Sequence, residues 1–129
     1  MHPAYFQIRF RTPEAIDGWP ERFVIITAYA TTGEVWTDGA NAEADRAMEA
    51  ELRATGQWMQ RFTGYSPDTG HAEPGWAVAL EWEAGCDLGK RFHQDAVFAV
   101  IGDALWVSFC DERRVLVPVG KFRERVTVG

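Results

Sequence analysis

His71 and Glu73 stand two residues apart, and His93, Gln94 and Asp95 follow as an unbroken run. Alternate residues of an extended backbone project to the same side, so an imidazole and a carboxylate at this spacing could act as base and orienter, or as two ligands of a cation. A zinc or manganese site drawn from His71, Glu73, His93 and Asp95 has suitable donor types. It lacks the paired short spacings that define metal motifs, and no metal or other cofactor is expected. An enzyme reading would use His71 or His93 as general base with Glu73 orienting it, and Thr27, Ser66 and Cys86 supply nucleophile types without a visible activating partner. GxGxxG, the phosphate loop, GxSxG and HExxH are all absent. The plain alternative is structural: a His and a carboxylate pinning a loop, and a His favoured by the negative end of a helix.

Six tryptophans are many for 129 residues, and Trp19, Trp36 and Trp58 flank loops or helix ends instead of apolar runs. Large aromatics supply much of the binding energy at protein interfaces, which makes a protein-binding or self-associating surface the leading expectation. Tyr29, His71, Glu73, Gln94, Trp36 and Trp58 are its candidate residues. Rings capping the ends of the core are the competing explanation. The formal charge of −6 excludes a surface that tracks phosphates nonspecifically, so no direct nucleic-acid partner is expected. An inhibitor or immunity-type protein fits an acidic chain, but Glu43, Asp45, Glu49 and Glu51 alternate with Arg46 and Arg53 as on an ordinary solvated helix face.

These residues need elements to carry them. Tyr5 to Arg11 alternates like a half-buried strand, and Arg22 to Tyr29 contains the β-branched run of a strand covered on both faces. Ala44, Met48 and Leu52 predict an amphipathic helix, with Asn41 as its cap, Glu43 near its positive end and Gly56 as its stop. Trp58 to Tyr65 and Trp76 to Trp82 read as an antiparallel pair around Pro67, Asp68 and Gly70. A short helix is expected from about Ala84 to Gln94, where Gly89 allows close packing on the sheet. Ala96 to Ile101 and Leu105 to Phe109 flank the turn signal Gly102-Asp103, and Val115 to Val119 and Phe122 to Val128 add edge strands carrying Pro118, Lys121, Arg123 and Arg125. The order strand, helix, strand, strand, helix, strand predicts an α+β fold: a ferredoxin-like split βαβ sandwich, mostly antiparallel with two helices, extended by strands at both ends.

The segments ITAYAT at 26 to 31, TGYSPDTGHAEPGWAV at 63 to 78 and LGKRFHQDAVFAV at 88 to 100 resemble the small bacterial proteins grouped as domain of unknown function thirty-two ninety-three. The resemblance spans roughly residues 22 to 109 of a chain read as one domain over 1 to 129. It matches Thr27, Tyr29, Asn41, Gly64, His71, Glu73, Phe92 and Gln94, and it departs where the family carries Asn-Pro and this chain has Ala30-Thr31. The family implies no established activity, cofactor or partner. No secretory signal and no membrane span are visible, so a cytoplasmic protein is expected, with Cys86 and Cys110 as buried thiols.

Overall fold

The structure is a computed structural model that describes residues 1–30 and 34–129; Thr31, in the first family-like segment, lies outside the described residues. Eight strands form a single sheet: β1 (Arg9–Thr12), β2 (Arg22–Ile26), β3 (Met59–Tyr65), β4 (Ala72–Val78), β5 (Ala96–Ile101), β6 (Ala104–Phe109), β7 (Val117–Lys121) and β8 (Val126–Val128). Their spatial order is β7-β6-β5-β2-β4-β3-β1-β8, antiparallel throughout except for the parallel pair β1 and β8. Two helices, α1 (Asp38–Ala54) and α2 (Trp82–Arg91), complete an α+β fold.

The alternation of side chains along the central strands divides the apolar residues between two faces. One face carries Val24 and Ile26 of β2, Trp76 and Val78 of β4, and Val97 and Ala99 of β5, and it is covered by Met48 and Leu52 of α1 and Cys86 and Leu88 of α2. The packing there is tight: a Cβ on Gly85 would come within 2.8 Å of Val24 Cγ1, and one on Gly89 within 2.7 Å of Cys110 Sγ. Glycine is therefore required where α2 meets the sheet, which offsets its cost within a helix.

The other face carries Phe23, Ile25, Phe62, Ala77, Val100 and Leu105. A two-layer sandwich would leave this face to solvent. Here β7 and β8, at opposite ends of the sheet, are joined only by the short 3-10 turn Phe122–Arg125, so the sheet must curl until its edges approach. Phe122 drops into the enclosed space, 5.1 Å from the Phe23 ring and 6.0 Å from Phe62. Arg125 ties the closure by donating to the carbonyls of Phe6, Ile8 and Val119. The terminal strands thus roll the sheet as well as extending it.

Several boundaries differ from those the pattern predicts, each for a local reason. Tyr5 to Gln7 belongs to a 3-10 turn (Pro3–Gln7) and not to a strand, because Pro3 presets its first position and the His2 imidazole caps Ala4 N at 3.0 Å. The cap of α1 is Thr37, whose hydroxyl accepts from Ala40 N at 3.1 Å, and the first-turn acid is Asp38, not Glu43. Gly56, at φ +69°, follows the end of α1 as anticipated. Strand β4 starts four residues before Trp76 and ends at Val78, and Trp82 opens α2. Helix α2 stops at Arg91 because His93 turns left-handed at φ +61°. The amide of Gln94 then reaches Gly89 O at 2.9 Å and that of His93 reaches Lys90 O at 3.2 Å, the paired bonds of a Schellman terminator.

Candidate functional site

The space enclosed by the curl is filled at one end and open at the other. At the filled end Trp19 stacks on Phe23 at 5.3 Å and meets Trp58 edge-on at 5.8 Å, sealing the core. At the open end lies a cavity of about 730 Å³. Its floor is Phe10, Phe62, Phe98 and Ile25, with Phe10 5.3 Å from Phe62 and 5.5 Å from Phe98. Tyr5, Tyr29 and Trp36 stand at its sides.

One of two strand glycines makes this room. Gly64 of β3 pairs with Phe10 of β1 on one side and Glu73 of β4 on the other, so a layer that could hold three side chains holds two. A Cβ on Gly64 would stand 3.4 Å from Ile8 Cδ1, in ordinary contact and inside the cavity. Gly75 serves a different end. A Cβ there would collide with the Ile26 carbonyl, so only glycine lets β4 pass the end of β2.

The rim is a hydrogen-bonded brace around the segment that leaves β2. Thr27 Oγ1 donates to Pro74 O at 2.8 Å and accepts from Tyr29 N at 3.1 Å. Gln94 Nε2, nearly buried, donates to Tyr29 O at 2.7 Å, and Asn41 Oδ1 accepts from Ala30 N at 2.9 Å. Asn41 therefore secures this segment instead of capping α1. Four of the positions matched by the family resemblance, Thr27, Tyr29, Asn41 and Gln94, meet in one network although the chain separates them widely.

His71 and Glu73 do meet, with Nε2 to Oε2 at 3.3 Å, at the edge of the cavity. The hairpin between β3 and β4 places them: Ser66 N donates to His71 O at 2.8 Å, and Gly70 N to Ser66 O at 2.8 Å with Gly70 left-handed at φ +74°. The His71 side chain is 69% exposed while that of Glu73 is 27% exposed, so the carboxylate points into the protein and the imidazole covers it. Burial raises the Glu73 carboxyl above the usual carboxylate range, and the neighbouring His71 opposes part of that rise.

His93 and Asp95 do not line this cavity. His93 is exposed and holds the left-handed residue of the α2 terminator, a conformation histidine adopts more readily than most side chains. The gathering of His71, Glu73, His93 and Asp95 anticipated from the split βαβ topology is not seen: His71 and Glu73 edge the cavity, and His93 and Asp95 lie outside it. Among the described residues no three His, Cys, Asp or Glu side chains come together as metal ligands. Trp58 is half-buried in the aromatic seal, whereas Trp36 is half-buried at the cavity with its Nε1 donating to Glu34 Oε1 at 3.3 Å. Among the described residues the exposed large apolar side chains are Met1, Val35, Val115 and Val128, none of them aromatic.

Cys86 and Cys110 are free and buried on the helix-covered face. The hydrogen bond shared with Cys110, more than the one with Ser108, draws the Cys86 thiol below its ordinary range, while that same contact and burial push Cys110 up. Neither sulfur reaches the cavity. The residues that pattern reading missed are Tyr5, Phe10, Phe62 and Phe98, which look like ordinary core. The available signal was Gly64 and Gly75, since glycine inside a strand often marks a close approach of backbone or ligand.

The family model described as "Protein of unknown function (DUF3293)" matches residues 26–97. The chain belongs to this family. That span holds all four residues of the rim network and both members of the His71–Glu73 pair, while the terminal strands that close the curl lie outside it. No curated protein and no solved structure matches the chain. No helix among the described residues is long and apolar enough to cross a membrane.

Proposed function

We propose that this member of the family acts by binding, and that its ligand is a small, largely apolar molecule held in the mouth of the curled sheet. The cavity of about 730 Å³ carries the reading: it lies in the range of small-molecule pockets, and it joins an aromatic floor to a few convergent polar groups, as such pockets do. The rim network supports a preformed site, because Tyr29 is fixed from both its amide and its carbonyl. A protein-binding surface finds less support, because the rings that suggested it are committed: Trp58 to the core seal and Trp36 to the cavity wall. Nucleophilic catalysis also finds less, since the Thr27 hydroxyl is engaged with Pro74 and Cys86 is buried on the other face. The order β5-β2-β4-β3 with both helices on one face supports reading a ferredoxin-like core to which the remaining strands were added.

Titration with the neutral apolar dye N-phenyl-1-naphthylamine tests this directly. Wild-type protein should give a saturable fluorescence rise. Gly64→Leu, which fills the cavity from its floor, should lose it while melting as a folded protein, and Trp36→Ala should weaken it. Absence of saturable binding, or equal binding by folded Gly64→Leu, overturns the proposal.

A further inference from the structure

The ionisable side chains around the cavity include the carboxylates Glu34 and Glu73 and the imidazoles His2 and His71, but no permanent cation, Lys or Arg, among the described lining residues. An anionic ligand would find no permanent positive charge there. A cation would find Glu73 beneath the rim and aromatic rings beside it, and a chain of net charge −6 from which to approach.

Resting on the pocket reading above, we propose that the cavity selects an organic ammonium: an apolar or aromatic body carrying a protonated amine, with the amine against Glu73 and the body over Phe10 and Phe98. Three features of the geometry converge on this. First, the Glu73 side chain is largely buried, and among the described residues the contact seen at its carboxylate is that of His71 with Oε2. An ion so desolvated is stabilised by an opposite charge far more than an exposed one is. Second, Tyr5, Tyr29 and Trp36 line the same cavity, and ring faces attract ammonium groups, most strongly where water is excluded. Third, Gly64 faces Glu73 in register across β3 and β4, leaving the carboxylate side of the floor clear.

The recognition is non-covalent: the ammonium donates to Glu73 and no bond is made or broken. His71, largely exposed, acts as a cover that holds the carboxylate in place and remains with it when the cation arrives.

Three ligands with one body and different heads test the assignment on the full chain: tryptamine, tryptophol and indole-3-propionate, titrated by calorimetry or by ligand-observed NMR at millimolar concentration. Tryptamine should bind about 3- to 30-fold more tightly than tryptophol, the range that desolvated cation–π attraction supplies, and indole-3-propionate should bind weakest. Glu73→Gln should shrink the advantage of tryptamine, to the part that the rings supply, while leaving tryptophol unchanged. If that variant does not fold, the ranking on the wild-type chain decides alone. Saturable dye binding with no advantage for tryptamine overturns the ammonium assignment and leaves the pocket reading standing. Failure of dye and all three indoles overturns both.

Discussion

The two faces of the curled sheet are made from the same alternating strands, yet one is closed by glycines and the other is opened by one. Under α2, Gly85 and Gly89 remove side chains so that the helix can settle against Val24 and Cys110 with no space left over. Inside the curl, Gly64 removes a side chain and nothing takes its place, so the space remains as part of the cavity. A missing Cβ thus means close packing in one region and vacancy in the other. What distinguishes them is the partner: a helix can shift along the sheet until contact is made, whereas strands joined in register cannot approach further.

The contrast is broken most directly by making the same substitution on both faces. Gly85→Ala should destabilise by about 1–3 kcal/mol, since its methyl meets Val24 and the core must yield. Gly64→Ala should instead be neutral or stabilise by about 0.4–1 kcal/mol, because a methyl fits the cavity and the unfolded chain loses freedom. Chemical denaturation of both variants checks the pair, and a loss of stability in both would mean the cavity is not real space.

The same division separates the two histidines. His93 belongs to a helix terminator and pays for a left-handed backbone, so His93→Gly should raise stability by roughly 0.5–1 kcal/mol and leave dye binding untouched. A drop in dye binding would instead give His93 a part in the site.

The smallest effect concerns Glu73. Its carboxyl is raised above its ordinary value near 4.5 by burial, so between that value and the elevated one the folded protein holds more proton than the unfolded chain. Its contribution to stability is full below the ordinary value and falls as pH rises through the elevated one, then stays flat. Subtracting the pH–stability profile of Glu73→Gln from that of the wild type should reveal this fall; a flat difference would place Glu73 in a solvent-like setting, and a rise in a more strongly paired one.

Much of the fold could be read from local pattern. The β-branched run at Phe23 to Ile26, the four-residue spacing of Ala44, Met48 and Leu52, and the Gly102 turn at φ +63° are each fixed by neighbours in the chain. The pairing of His71 with Glu73 followed from period-two spacing alone. Other assignments failed where two local signals competed: Thr37 and Asn41 are both good caps, and nothing nearby tells that Asn41 is needed by Ala30.

The sequence by itself determined which central segments become strand or helix, though not their ends, because hydrophobic period, caps and turn glycines act over a few residues. The tertiary structure alone decided that β8 lies parallel to β1, that the sheet curls, that Trp58 seals the core while Trp36 walls a cavity, and that Gly64 opens space where Gly85 closes it. Those outcomes depend on contacts between residues as distant as Phe10 and Val126, and no periodicity within either segment encodes the other.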